Sequence, residues 1–345
     1  MLNIAFVACN KNASRFRQDP SFIYRCENLA AALRARGNRV HLWHLSHFPY
    51  LRHFFDIVVL HRPRAGWRLT FALAWLRRRG SRIIADFDDL VFDPALAAFS
   101  PGVLNGLVGL ETTRGQFAAH RDTLRAMDAV TVSTSPLAET LRAADVPRAC
   151  VVPNAVHHDW LKLKRPPVMD KTWRIAYCPG TRSHDRDFSL ITRQIEEFLH
   201  AYPQTTLAVT GPLSFIPRAR PEQLRVQDKL PFMEYHHALW SARVNLAPLE
   251  DTPFNRCKSA IKILEAGFWG IPTLCSPLPD AERFVDAGAM ITADGAWGDR
   301  LERLLLNDDH YNAQTANLSQ QVLDRADIHA VADRWLRFVL EQKNV

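Results

Sequence analysis

Short unbroken apolar runs alternate along the chain with longer stretches whose apolar positions recur as on one face of a helix. Residues 3–8, 40–45 and 56–60 read as strands, and residues 22–36, closed by Gly37, as the helix between the first two. Strand, helix, strand at this interval opens a parallel, doubly wound sheet. The pattern continues through a strand at 82–85, a helix at 113–127, a strand at 129–133, a helix at 135–144 with Pro136 at its first position, and a strand at 149–152. Residues 162–171, with Pro166 and Pro167, have linker character. The alternation then restarts with strand 174–177, helix 191–202, strand 206–210 and strand 243–247, and a last amphipathic stretch, 328–340, gathers Val331, Trp335, Phe338 and Val339. This predicts an α/β chain of two doubly wound parallel-sheet domains, 1–163 and 164–327, facing across a cleft. Residues 328–345 form a closing helix that packs back toward the first.

Residues 254–272, FNRCKSAIKILEAGFWGIP, carry the most informative pattern. Cys257, Ile261, Leu264 and Phe268 form one stripe at helical spacing, and Lys258, Lys262, Glu265 and Trp269 form another. One helix with a buried and a charged side is expected, with Asn255 or Ser259 as cap and Gly270 and Pro272 as its stop before a short strand at 271–275. Two ammonium groups followed by a carboxylate suit a phosphorylated sugar alcohol, and they equally suit a surface helix with a Lys262–Glu265 ion pair.

Composition narrows the class. Hydrophobic residues make up 47% of the chain, which favours a folded globular protein. No apolar run approaches the roughly 20 residues of a spanning helix. The run 4–8 is too short for a signal peptide and no basic segment precedes it. Cys9, Cys26, Cys150, Cys178, Cys257 and Cys275 are scattered without C-x-x-C spacing, so a reducing cytoplasm is expected. Charge is uneven: residues 1–165 hold 23 basic and 13 acidic side chains, a balance of +10, and the remainder holds 20 and 23, a balance of −3. Arg62, Arg64, Arg68, Arg77, Arg78 and Arg79 bracket an apolar helix with Trp67 and Trp75, a pattern that suits an anionic membrane surface or an anionic acceptor. A merely solvated Arg-rich helix gives the same pattern. Nucleic acid is disfavoured, because no zinc-finger spacing, aromatic RNA-binding motif or helix-turn-helix accompanies the arginines.

In open parallel sheets ligands sit beyond the carboxyl ends of the strands, where Asp86, Asp88 and Asp89 fall. Such carboxylates can hold a divalent cation, act as a base, grip sugar hydroxyls or simply cap the next turn. His41, His44 and His47, on a strand leading into a loop, do not converge as metal ligands should, so no metal is expected.

The run AVTVSTSPLAETLRAADVPRACVVPNAV, residues 129–156, resembles the end of the first domain in the retaining GT-B glycosyltransferases of family four. Residues 254–272 resemble that family's donor-binding helix, and Tyr24-Arg25 with the loop before it is similar to its acceptor loop. The resemblance covers most of the chain. It implies the GT-B fold, two Rossmann-like domains, and transfer of a sugar from a nucleotide sugar to a glycan or lipid-linked acceptor in cell-surface polysaccharide synthesis, at the cytoplasmic face of the membrane. The family carries two glutamates separated by seven residues. Glu265 matches the second, a ligand for ribose or sugar hydroxyls, and Cys257 stands at the first, with Glu250 and Asp251 as substitutes. The family's diphosphate clamp after the first strand of the second domain falls on Gly180, Thr181, Arg182, His184 and Arg186, with Lys258 and Lys262 opposite. Arg15, Arg17, Tyr24, Arg25 and Asp86 fall on the acceptor side, and Asp88, Asp89, Lys262 and Glu265 are the catalytic candidates.

The resemblance further implies retention without a cofactor, the leaving diphosphate being stabilised by fixed cations and helix N-termini. Two other readings stay open: a scaffold that binds a nucleotide or anionic glycan without catalysis, and a nucleotide-sugar epimerase.

Overall fold

The computed structural model describes residues 1–10, 12–146, 148–164 and 173–340, so most of the expected linker and residues 341–345 lie outside the described residues. Two six-stranded sheets form the frame, and every strand pair in both is parallel. The first comprises β1 (Asn3–Ala8), β2 (Arg39–His44), β3 (Ile57–His61), β4 (Arg82–Phe87), β5 (Ala129–Val132) and β6 (Ala149–Val151), in the order β2-β1-β3-β4-β5-β6. The second comprises β7 (Trp173–Tyr177), β8 (Thr205–Thr210), β9 (Leu224–Gln227), β10 (Val244–Ala247), β11 (Thr273–Cys275) and β12 (Ala289–Ile291), in the order β12-β11-β10-β7-β8-β9. This is the two-domain α/β fold that the alternation predicts. The unforeseen strands are β9 and β12, the two edges of the second sheet. β9 is four residues long with three of them exposed, and β12 is three residues long.

Alternation of side chains along each strand gives each sheet two buried faces. Ala5, Val7, Val58, Leu60, Ile83 and Ala85 bury one face of the first sheet under the helices Trp67–Arg78, Leu110–Leu124 and Ser135–Ala143. Ile4, Phe6, Val40, Ile57 and Ile84 bury the other, under Asn28–Ala35 and the late helix Ile328–Leu340. That late helix contributes Ile328, Val331, Ala332, Trp335 and Val339 to the first sheet's core, each larger side chain contributing about 1.5–3 kcal/mol by its burial. In the second domain the helix Ile261–Phe268 lies against Leu318–Ala326. The approach is close: a Cβ at Gly267 would come within 2.8 Å of Val322.

The single helix expected over residues 254–272 is in fact two pieces. A 3-10 turn, Asn255–Cys257, is followed by Lys258 in extended conformation, ψ 148°, and the α-helix begins only at Ile261. Tertiary partners impose the break. Thr134 Oγ1 donates to the Cys257 carbonyl at 2.8 Å, Asn154 Nδ2 to Ser259 Oγ at 2.9 Å, and Asp280 accepts from the Ala260 N–H at 2.8 Å. Cys257 therefore leaves the helix's apolar stripe and packs, with Phe254, into the core of the first domain.

Candidate active site

The carboxyl ends of both sheets face the cleft, and the candidate residues divide into a first-domain network and a second-domain pair. The helix after β1 starts at Pro20, with Asp19 accepting from the Ser21 N–H, and it widens into a π-turn over Ile23–Glu27. Such turns are frequent at functional sites, and this one displays Tyr24 and Arg25. Arg25 pairs with Asp86 through two bonds of 2.7 and 3.1 Å, and also donates to the Val152 carbonyl and to Asn154 Oδ1. Thr131 and His61 complete the shell of Asp86, at 2.7 and 3.2 Å. Burial pushes the Asp86 pKa up, but Arg25 and His61 outweigh it and hold the group below its ordinary value. Asp86 and Arg25, both assigned to the acceptor by sequence, thus saturate each other inside the domain.

Asp88 and Asp89 share one cation. Arg62 donates from Nε to Asp88 at 2.6 Å and from Nη2 to Asp89 at 2.8 Å. Burial works to raise the Asp88 pKa, and the charge of Arg62 and of His61, with hydrogen bonds from Arg62 and Ser21, drives it well below the carboxylate range instead. Ser21 Oγ bridges Asp88, at 2.6 Å, and His61 Nε2, at 2.9 Å. The chain Asp86–His61–Ser21–Asp88 carries a hydrogen in every link when His61 holds both ring protons. Arg62 adopts a left-handed φ of 49°, a conformation costing about 1–3 kcal/mol for a non-glycine residue. The two carboxylates, and an N–H donated to the Asp86 carbonyl, hold it there.

Across the cleft, Lys262 and Glu265 lie one turn apart on the helix after β10. The Lys262 ammonium donates to the Cys178 carbonyl at 2.8 Å and sits 5.2 Å from the Tyr177 ring centroid. Among the described residues no carboxylate lies within ion-pairing distance of it, and burial lowers its pKa. Glu265, 7% exposed, accepts from the Tyr24 hydroxyl of the opposite domain at 2.7 Å. Burial raises the Glu265 pKa to about 7, against smaller opposing contributions from Tyr24, Lys262 and Tyr235.

The turn after β7 completes this wall. Gly180 accepts from Lys229 at 3.1 Å, Thr181 and Ser183 share a 2.6 Å hydroxyl contact, and Arg182 is exposed. Gly211, just past β8, lets the chain pass close to this turn: φ is +121° and a Cβ would meet the Pro179 carbonyl at 2.2 Å. His184 bonds Asp187 at 2.8 Å and burial lowers its pKa to about 4, so its ring is neutral near pH 7. Asp187 also accepts from the Glu250 N–H and from Asn255 Nδ2, joining this turn to the loop before residue 255. Arg186 stands apart: it grips Glu250 in two bonds of 2.6 and 3.0 Å, and Arg256 takes Asp251 likewise, so each candidate substitute for the missing glutamate has a cation of its own. Lys258 reaches Asp89 at 3.8 Å, and Cys257, its thiol pKa raised to about 11 by burial, lies in the domain interface. On the first domain's rim Arg15 and Arg17 are exposed, Arg17 with Glu27 at 3.0 Å.

Ser21, His61, Arg62, Asp187 and Tyr235 escape sequence reasoning. The rule that ligands gather at strand ends, applied to Asp86, would also have found His61, which ends β3 and pairs with Asp86 in register. Among the described residues His157, His158 and Asp159 are the one group with donor atoms within 4.8 Å of one another, suited to a divalent cation. Asn28 holds His158, and Lys162 holds Asp159 at 2.6 Å.

No protein-family model and no curated protein matches the sequence. Solved structures do match in fold. Anabaena HepE in complex with UDP and glucose superposes with a TM-score of 0.68 at 11% identity, over 99% of this chain and 100% of that one. TarM gives a TM-score of 0.64 at 8% identity over 86% of this chain, which spans only 57% of TarM's length. A Listeria monocytogenes protein assigned as a UDP-N-acetylglucosamine 2-epimerase gives 0.56 at 13% identity, over 100% of this chain and 97% of that one. These likenesses identify the fold as that of the GT-B glycosyltransferases.

Proposed function

We propose that the protein is a glycosyltransferase moving a sugar from a nucleotide-sugar donor, held by the second domain, to a glycan or lipid-linked acceptor held by the first. The observation that carries this reading is a half-buried ammonium and a buried carboxylate, Lys262 and Glu265, one turn apart on the helix after β10 and facing the turn after β7. Glu265 binds the ribose or sugar hydroxyls. Lys262, whose ammonium has a carbonyl and a ring face but no carboxylate among the described residues to answer it, meets the leaving diphosphate, with Arg182 and Lys258 adding charge. HepE holds UDP and glucose, which supports uridine diphosphate as the donor nucleotide.

The reaction proceeds with retention. The bond from the anomeric carbon to the diphosphate oxygen breaks, the acceptor oxygen bonds to the same face, and a diphosphate oxygen takes the acceptor's proton. Asp88 and Asp89, both held by Arg62, orient hydroxyls and are poorly suited as nucleophiles. The family resemblance favours cell-surface polysaccharide synthesis at the cytoplasmic face of the membrane, without a metal.

A thermal-shift screen of nucleotides and nucleotide sugars tests the reading. Uridine diphosphate in excess over its Kd is expected to raise Tm by a few degrees, because it binds only the folded state. Lys262→Ala is expected to shrink that rise and lower turnover by more than about tenfold, the cost of one charged hydrogen bond. No shift with any nucleotide, together with no nucleotide released from any nucleotide sugar, would overturn it. The near-complete overlap with the Listeria protein favours epimerisation as the second reading, and product formation without acceptor identifies it. A scaffold that only binds would give the thermal shift without nucleotide release.

A further inference from the structure

The helix Trp67–Arg78 buries Leu69, Ala72, Leu73 and Leu76 against the first sheet and has no further need of apolar surface. Its opposite face nevertheless carries Trp67, 77% exposed, and Phe71, 55% exposed, one turn apart. The segment before β3 runs alongside. Tyr50 packs on Phe71 with ring centroids 6.3 Å apart, and Arg79 donates to the His53 carbonyl at 3.3 Å. This brings Leu51 and Phe54, 50% and 45% exposed, to the same side of the domain.

The charge around this patch has one sign. From Asn28 to Ala85 the only acidic residue is Asp56, against eleven arginines, and Asp56 is engaged by the Asn3 N–H at 2.8 Å. Arg52, Arg64, Arg68, Arg77, Arg78 and Arg79 are exposed, and among the described residues none of them forms an ion pair. Arg68 lies over the Trp67 ring, 5.2 Å from its centroid. Exposed aromatics among unpaired guanidinium groups match the layered chemistry of a bilayer surface, where rings enter the headgroup region and cations meet anionic lipid. Nucleic acid offers anions but no apolar layer for Leu51 and Phe54. No described helix is long and apolar enough to cross a membrane, so the helix would lie in the surface plane.

We propose that this face docks on an anionic lipid bilayer. The contact places the cleft as well. Trp67 follows Arg62 by a loop of four residues, and Arg62 holds Asp88 and Asp89, so a short chain segment joins the docking helix to the carboxylate network. The docking stands independently of the transfer reaction. Only delivery of a lipid-borne acceptor to those carboxylates rests on it.

The test is cosedimentation of the full chain with phosphatidylcholine vesicles and with vesicles that also contain phosphatidylglycerol. Binding is expected only to the second kind. Replacing Arg77, Arg78 and Arg79 together by Gln should weaken it by about a hundredfold, since each cation near an anionic surface is worth roughly a factor of five. Trp67→Ser with Phe71→Ser should weaken binding independently, and more visibly at high salt, where the electrostatic part is screened. Arg77 and Arg79 each bond one carbonyl at the surface, the other three side chains form no hydrogen bond among the described residues, and an unchanged Tm confirms that the variants fold. Wild-type binding to neither vesicle, equal binding by the variants, or preference for an RNA duplex over the anionic vesicle would overturn the proposal. So would a concentration-dependent dimer that the Trp67→Ser, Phe71→Ser pair abolishes. Vesicle binding in a protein that no nucleotide stabilises and that releases none from any nucleotide sugar would leave the docking intact and remove the transfer reading alone.

Discussion

Glu265→Ala is expected to lower turnover by about ten- to a hundredfold, because it removes a charged hydrogen-bond acceptor worth roughly 1.5–3 kcal/mol from the donor's polyol. Steady-state kinetics with the donor found in the thermal screen measure it, and unchanged turnover in the folded variant would defeat the assignment. Glu265→Gln separates the carboxylate's charge from its shape. The folded pKa of Glu265, about 7, lies above the ordinary value of 4.5, so the folded state binds the extra proton. Stability contributed by that proton is present below the unfolded pKa and is lost as pH rises through 4.5 to 7. Glu265→Gln is neutral throughout and should therefore melt higher than the wild type at pH 8, by up to about 3 kcal/mol, and with no advantage at pH 4. It should still be impaired in turnover. An inactive enzyme more stable than its parent is the mark of a residue kept for chemistry.

Arg25→Ala is expected to be the most destabilising single change in the first domain. It strands Asp86, 3% exposed, without the guanidinium that satisfies both its oxygens, and breaking such a pair costs about 3–5 kcal/mol. Urea denaturation measures the loss. The double variant Arg25→Met, Asp86→Leu tests its cause, since removing both charges should restore most of the stability. If the double variant is no better than Arg25→Ala, the lost bonds to Val152 and Asn154 matter more than the ion pair.

The fold was legible where local physics decides it. The alternation of apolar runs and helical stripes identifies ten of the strands, and the carboxyl-end rule points at Asp86 to Asp89, while the turn after Cys178 comes from the family resemblance. What the sequence conceals depends on partners far along the chain. The stripe through Cys257 and Ile261 reads as one helix because nothing nearby announces that Thr134, Asn154 and Asp280 will pull residues 257–260 out of it. Tyr24 and Glu265 are 241 residues apart, and no periodicity joins them. Arg62 hides in a run of arginines, and only its left-handed backbone and its two carboxylates set it apart.

The Tyr24–Glu265 bond also bears on the proposed donor site. The acceptor-side hydroxyl donates to the carboxylate proposed for the donor and competes for it. Tyr24→Phe removes this competition while keeping the ring against Phe232, 5.2 Å away.

The helix Ile328–Leu340 has a consequence for how the molecule comes into being. It covers Ile4, Phe6 and Ile57 on one face of the first sheet, so residues translated after the second domain complete a core that the first domain begins. While the second domain is being translated, the first waits with an apolar face open to solvent and to chaperones. Maturation of the first domain is therefore timed by translation of the second.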